Sequence, residues 1–381
     1  MQLSNQEAER LMLEGVEALR QGQTAEARIR FEKLTNSGSN GELSWLLLAV
    51  SRGAEGDVAG EEAALNRLLE LEPKSVRGHI MKGECRARSG DDDLACYFYR
   101  SALRLAEGKQ LPQEVMTELN HAERALGDLE RRSHARREAK LTARGLPPQK
   151  WSPRLRHSLE LAGGRRKLYL QQPTSYNYPE LPQIQFYDPV QFSWTPAVEA
   201  AAPSMREELM KLMEKGADDF RAYIQTDVGT VPLEGNKALL NNKDWSVLSF
   251  CENGWLRPDV IERCPRTWEA VLQAPLPRVA GWGPTVLFSM LKGGAHIAPH
   301  TGMFNTRLIC HLPLVVPPGC RFRVGNEVRE WEVGKLLIFD DTIEHEAWND
   351  SSEDRVVLIF DIWRPELSDQ EKHELTLLFS D

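Results

Sequence analysis

The sequence predicts a chain in two parts, stacked helical hairpins followed by a β-rich domain of antiparallel strands with flanking helices. Three observations carry this. A set of small, turn and apolar residues recurs every 34 residues through the first hundred positions. Nine of the ten tryptophans lie at or after Trp151. Four of the nine histidines (His296, His300, His311 and His345) crowd into a single stretch that otherwise reads as short strands.

Gly15, Ala49 and Gly83 share one place in the repeat, and Gly22, Gly56 and Gly90 share another; so do Phe31, Leu65 and Tyr99, then Leu34, Leu68 and Ala102. Small, turn, large apolar, apolar at this period is the tetratricopeptide pattern, with Pro73 as a helix stop before the third unit. Ala27 and Ala95 fill the small position where two helices touch, and Glu61 departs from it. Each hairpin buries its apolar face only against the next, so three units make a minimal array. Residues 1–110 are assigned to it. The expected role is a groove for a peptide or partner protein; the plainer alternative is a buttress or a dimer surface. Residues 111–167 remain helical in pattern and cap the array. Their basic island, Arg131, Arg132, Arg136 and Arg137, reads as a solvated face.

Composition then changes. Residues 168–195 are rich in Pro and Tyr and predict an extended linker that ends by docking on the second domain. Residues 196–381 predict an α+β domain, with a helix from Pro203 to Ala222 and another from Cys264 to Leu272. Thr285 to Met290, Thr306 to Leu314 and Val356 to Trp363 read as strands, punctuated by Gly293-Gly294, Pro317-Pro318-Gly319 and Gly325-Asn326. Such strands suit a sandwich or double-stranded β-helix of the jelly-roll, cupin-like kind, whose mouth takes a small ligand.

The formal net charge of −9 argues against nucleic acid as a partner. No apolar run reaches membrane-spanning length and the start lacks a signal peptide's basic and apolar regions, so no membrane anchor and a cytoplasmic location are expected. Six cysteines without a C-x-x-C pair are expected to stay reduced. The oligomeric state has no signature.

Alternation along a strand puts Arg307, Ile309 and His311 on one face and Leu308, Cys310 and Leu312 on the other. His300 and His345 stand 45 residues apart, each at a strand end, and Arg355 comes ten residues after the second. A lone strand histidine is usually a surface or structural residue. This spacing instead fits two imidazoles holding a non-haem Fe(II), with a guanidinium gripping a carboxylate of 2-oxoglutarate. The usual third ligand, a carboxylate two residues after the first histidine, is missing, because Gly302 stands there.

The run from Pro299 to Arg307, then His311-Leu312, Leu337 to Trp348, Arg355, and Asp361 to Leu367 resembles the catalytic domain of the aspartyl/asparaginyl β-hydroxylases. The resemblance spans roughly Pro182 to Leu367 and is strongest from Gly281 onward. It implies iron held by two histidines alone, His300 and His345, with glycine in place of the carboxylate. Arg355 and Ser289 match residues at the distal carboxylate of 2-oxoglutarate, and His311 matches a histidine near its metal-chelating end. Arg307 and Asn305 are candidate substrate contacts, and the Asp340-Asp341 pair before His345 reads either as support behind the ligands, with Asp341 the candidate, or as a turn feature at a strand end. His296 also matches a histidine of the family, and four residues before a ligand its plainer reading is support of the loop. One departure stands out: where the family commonly has a second Arg touching carboxylates in the site, this chain has Ile309, and Arg307 on the same face is placed to serve in part.

The resemblance implies an Fe(II)- and 2-oxoglutarate-dependent dioxygenase that uses O2 to hydroxylate an unactivated C–H bond. The foremost target is the β-carbon of an Asp or Asn in a protein or peptide recruited by the helical repeats. Two alternatives stay open: a same-fold oxygenase acting on a lipid acyl chain or small molecule, and a non-enzymatic repeat scaffold with an inactive barrel.

Overall fold

The computed structural model describes residues 3–37, 41–214, 219–225 and 237–380. The chain divides into two compact units, residues 1–166 and 167–381.

In the first unit, six helices form three hairpins: α1 (Asn5–Arg20) with α2 (Thr24–Asn36), α3 (Glu42–Ala54) with α4 (Val58–Leu71), and α5 (Val76–Arg88) with α6 (Asp92–Ala106). Gly22, Gly56 and Gly90 make the turns at φ of 74°, 77° and 76°, a conformation that only glycine adopts without strain. The 34-residue period is a packing rule. A Cβ on Gly15 would lie 2.7 Å from the Phe31 ring, and one on Gly83 would lie 2.6 Å from the Tyr99 ring, so the aromatic residue demands glycine opposite. Where the second unit has Leu65 instead, Ala49 fits.

Glu61 shows how the departure from the pattern is accommodated. It is buried and ion-paired to Arg88, and Gly53 leaves the room, since a Cβ there would lie 2.9 Å from the Glu61 carboxyl carbon. The small residue has moved to the facing helix. α7 (Gln113–Ala143) packs on α5 and α6, and α8 (Pro153–Ala162) comes after it. The basic island is more than a solvated face: Arg132 and Arg136 pair with Asp92, and Arg137 with Asp93 at 3.3 Å, so these cations sit at the acidic N-terminus of α6.

The second unit contains β1 (Phe186–Tyr187), α9 (Thr195–Ala200), α10 (Ala202–Glu214), β2 (Arg221–Ala222), β3 (Trp245–Glu252), β4 (Trp255–Leu256), α11 (Pro258–Ile261) and α12 (Pro265–Val271). Then come β5 (Val286–Leu291), β6 (His296–His300), β7 (Arg307–Val315), β8 (Cys320–Val324), β9 (Glu327–Glu330), β10 (Leu337–Phe339), β11 (His345–Asn349), β12 (Arg355–Trp363) and α13 (Asp369–Phe379). The large antiparallel sheet runs β1-β10-β7-β12-β5-β3-β2, with β4 paired to β3; the smaller one runs β6-β11-β8-β9.

Alternation divides the large sheet's residues between two cores. Leu308, Cys310, Leu312, Val356, Leu358 and Phe360 pack with Met205 and Leu209 of α10. Val357 and Leu291, on the opposite face, pack with Ile297, Phe322 and Ala347 of the small sheet. The architecture is therefore the predicted one, helical repeats and then an antiparallel β domain with helices on its outer face.

Two expectations need correction. The helix expected from Pro203 to Ala222 is described over Ala202–Glu214, and Arg221 and Ala222 are strand. Lys215 to Asp218 lie outside the described residues. The segment 168–195 is extended as its composition predicts, yet it is an integral part of the second unit. Phe186 and Tyr187 pair with Phe339 and Ile338, and the Gln172 and Thr174 amides donate to the carbonyls of Thr342 and Gly302 at 2.7 and 3.0 Å.

Candidate active site

Between the sheets lies a cavity of about 160 Å³. Its large-sheet wall is ordered by register. Along β12 the inward residues are Arg355, Val357, Ile359 and Asp361; Ile359 is opposite His311 of β7 and Leu287 of β5, and Asp361 is opposite Ile309. By register one end of the wall thus carries Arg355, the middle holds His311 level with Ile359 and Leu287, and the far end carries Ile309, Asp361 and Arg307.

The small sheet supplies the histidines. His300 ends β6, His345 begins β11, and the two are direct cross-strand partners. Their ring centroids are 4.1 Å apart at 51°. Each Nδ1 faces a main-chain carbonyl two residues earlier, Ala298 at 2.8 Å and Ile343 at 3.1 Å, which fixes the proton on Nδ1 and leaves Nε2 as the lone-pair donor. Burial lowers the pKa of His300. Burial, with His300 and His311 nearby, holds His345 well below the imidazole range. Both rings are neutral at pH 7, the form that binds a metal.

Gly302 has a physical explanation. A Cβ at this position would overlap the Asp341 carboxylate, so the space where a third ligand would project is already filled from another loop. Asp341 is 8% exposed, and its Oδ1 has no hydrogen-bond partner. Burial raises its pKa to about 7, with Arg307 opposing and Asp340 and Asp361 adding to the rise. Asp340, its neighbour, plays a different part: it accepts from Arg364 Nη1 at 2.7 Å and from the Thr342 hydroxyl at 2.5 Å, deep in the protein. Among the described residues, no three His, Cys, Asp or Glu side chains converge as a metal-binding group.

Arg355 is 1% exposed, and its Nε and Nη2 have no partner. Its guanidinium lies 4.7 Å over the Trp331 ring, and burial pulls its pKa down to about 10. Such a cation is costly alone and suited to a carboxylate. Ser289, 1% exposed, accepts from the Trp245 indole at 3.2 Å, leaving its own hydroxyl proton to donate. His311 has an unpartnered Nδ1, and burial beside Arg355 lowers its pKa strongly.

The structure brings His300, His345, His311, Ser289, Arg355, Arg307 and Asp341 to this one cavity. Asn305 is a correction. It is fully buried, and its amide donates to Gln171, Asn177 and the Tyr178 carbonyl, so it anchors the extended segment instead of facing a substrate. Arg307 lines the cavity, with its Nη1 donating to Asp361 at 2.6 Å and its buried Nε left without a partner. His296 pairs with Glu346 at 3.1 Å and stacks on Trp348, in keeping with loop support. Sequence reasoning missed Trp245, Trp331, Phe322 and Asp361. Only Asp361 had a signal, an acid interrupting the apolar run of β12.

The family model described as aspartyl/asparaginyl beta-hydroxylase matches residues 199–365. The human aspartyl/asparaginyl beta-hydroxylase is 32% identical over 209 residues, which cover 54% of this chain and 26% of that one. The ornithine lipid ester-linked acyl 2-hydroxylase of Rhizobium tropici is 35% identical over 193 residues, 49% of this chain and 63% of that one. This chain thus matches only about a quarter of the human relative. Among solved structures, PcrH from Pseudomonas aeruginosa aligns with a TM-score of 0.31 at 20% identity, covering 33% of this chain and 94% of that one. Residues 199–365, which hold the cavity and both paired histidines, are thus the part of this chain that is similar to the aspartyl/asparaginyl β-hydroxylases.

Proposed function

We propose that this domain is an Fe(II)- and 2-oxoglutarate-dependent oxygenase that hydroxylates an unactivated C–H bond. One observation carries the reading: two neutral imidazoles with their Nδ1 atoms tied to carbonyls open the same cavity as a buried guanidinium with two unused donors. The residues fit the group they would hold. His300 and His345 would ligate the iron through Nε2, while Arg355 and the Ser289 hydroxyl would take the distal carboxylate of 2-oxoglutarate. The bound iron and cosubstrate supply the oxidising power with O2.

The chain's own residues do the rest. The carbonyls of Ala298 and Ile343 keep the ligand rings in one tautomer and orientation. Trp331 and Trp245 hold Arg355 and Ser289 in place and keep water away from them. Asp341, with one oxygen unpartnered, is placed to accept a hydrogen bond beside the ligands.

Two substrate readings stand within this chemistry. An Asp or Asn residue of a protein or peptide brought by the helical repeats agrees with the family's description. An acyl chain agrees with the Rhizobium relative, whose name states that activity. The chemistry itself is tested by measuring succinate from 2-oxoglutarate with Fe(II) and O2 but no added substrate. Slow iron-dependent succinate formation, lost in His345→Ala, is expected; formation that survives the substitution would refute the ligand assignment.

A further inference from the structure

We infer that residues 131–166, the second half of α7 and α8 with the turn between them, form a docking surface for an anionic phospholipid bilayer. The inference is independent of the oxygenase reading and stands on a different part of the chain.

Charge is spread unevenly along the sequence. From Arg131 to Arg166 there are eleven Lys and Arg against two acids, Glu138 and Glu160, although the formal net charge of the whole chain is −9. Part of this basic charge is used within the helical unit. Arg132 and Arg136 face Asp92, Arg137 faces Asp93, Arg131 meets Asp128, and Arg166 meets Glu160. The rest is free for a partner: Lys140, Arg144, Lys150, Arg154 and Arg156 are all exposed, and none has an ion-pair partner among the described residues. Lys140 and Arg144 close α7, Lys150 stands in the turn, and Arg154 and Arg156 open α8, so the five cations follow one another around a single corner. That corner is fixed. Trp151, 8% exposed, donates its indole N–H to the Leu146 carbonyl at 3.0 Å, and Arg156 donates to the Pro148 carbonyl at 3.2 Å. At the far end of α8 the chain returns to α7, where Arg165 meets His134.

α8 itself has the form of a helix that lies on a surface. None of its ten residues is fully buried, and Leu161 is 39% exposed. At about 100° per residue, Leu155, Leu159 and Ala162 share one stripe, with Arg154 on one side of it and Arg156 on the other. A helix this short draws little stability from its own hydrogen bonds and needs something to lie against. At a bilayer surface the leucines can dip below the headgroups while the flanking guanidinium groups stay level with the phosphates.

The same features favour lipid over nucleic acid. Single-stranded nucleic acid is held by exposed aromatic rings that stack on its bases, and the segment's one Phe, Tyr or Trp is the buried Trp151. A duplex offers nothing to an exposed leucine. Anionic headgroups ask only for clustered cations with apolar neighbours. The chain's acidic excess lies outside this segment, and salt screens exposed charges over about 8–10 Å, so the local charge is what the bilayer meets.

The test sediments the full-length protein with vesicles of phosphatidylcholine, either alone or with about 30 mol% phosphatidylserine, at about 0.1 M salt. Binding to the anionic vesicles is expected to be at least tenfold tighter than to the neutral ones, and to disappear at about 0.5 M salt. Each cation at such a surface multiplies partitioning about fivefold. The variant Lys140→Gln/Arg144→Gln/Lys150→Gln/Arg154→Gln should therefore bind at least tenfold more weakly. Replacing the exposed Lys33, Lys74, Lys109 and Lys243 by Gln changes the net charge equally and should cost less than threefold. If the first variant loses its helical circular dichroism, Lys150→Gln/Arg154→Gln takes its place, with at least a fivefold loss expected. No preference of the native protein for the anionic vesicles, equal losses in the two sets of variants, or tighter binding to a DNA or RNA oligonucleotide or to polyglutamate than to the vesicles would overturn the inference.

Discussion

Arg355 should make the empty protein less stable than it needs to be. Burial brings its pKa from 12.5 to about 10, and at about 1.4 kcal/mol per pKa unit this is a cost of about 3 kcal/mol. The sign comes from the direction. A base with a depressed folded-state pKa costs stability wherever it is charged, so the full penalty applies at pH 7 and fades only as pH rises past about 10. Arg355→Met keeps an unbranched side chain against Trp331 and removes the charge. At about 2–4 °C per kcal/mol for a domain of this size, the substitution is expected to raise the melting midpoint of the empty protein by about 6–12 °C. With Fe(II) under anaerobic conditions, 2-oxoglutarate at a hundred times its Kd should stabilise the native protein by about 2.7 kcal/mol and the variant not at all. Thermal melts with and without the cosubstrate measure both. A variant that melts lower than the native protein, or still responds to 2-oxoglutarate, would refute the reasoning.

Three further outcomes are expected. Gly302→Ala pushes a methyl group into the Asp341 carboxylate and should lower Fe(II) affinity at least tenfold by calorimetry, with much of the loss recovered in the Gly302→Ala/Asp341→Ala double variant. Asp340→Asn leaves Arg364, 0% exposed, with Glu366 at 3.2 Å as its remaining charge partner; urea unfolding should show a loss of about 3 kcal/mol, and a loss below about 1 kcal/mol would contradict the buried pair. Gly53→Ala should destabilise the helical repeats against Glu61, but in a Glu61→Ala background the same change should stabilise by up to about 1 kcal/mol through helix propensity. Equal effects in both backgrounds would show that the two residues do not share space.

The repeats were legible because their packing is local. Gly15 and Phe31, like Gly83 and Tyr99, are 16 residues apart and recur in register, so pattern alone reveals the contact. The inward face of β7 was legible for the same reason, since alternation places Arg307, Ile309 and His311 together without any tertiary knowledge. The partnerships were hidden. Arg307 meets Asp361 across 54 residues and a strand pairing, a partnership that alternation along one strand does not reveal. Asn305 read as a substrate contact because it lies in the histidine run, yet its partners come from Gln171 to Tyr178 in a segment that composition marks as linker. Asp340 and Asp341 are adjacent in sequence, and only burial and hydrogen bonding separate the structural acid from the one that faces the cavity.

The account stands on a shared ion between residues 300 and 345. Anomalous scattering at the iron edge, from crystals grown without oxygen in Fe(II) and 2-oxoglutarate, should show one peak within bonding distance of both Nε2 atoms, with the cosubstrate's far carboxylate against Arg355. A peak elsewhere, or one touching only a single imidazole, would contradict it.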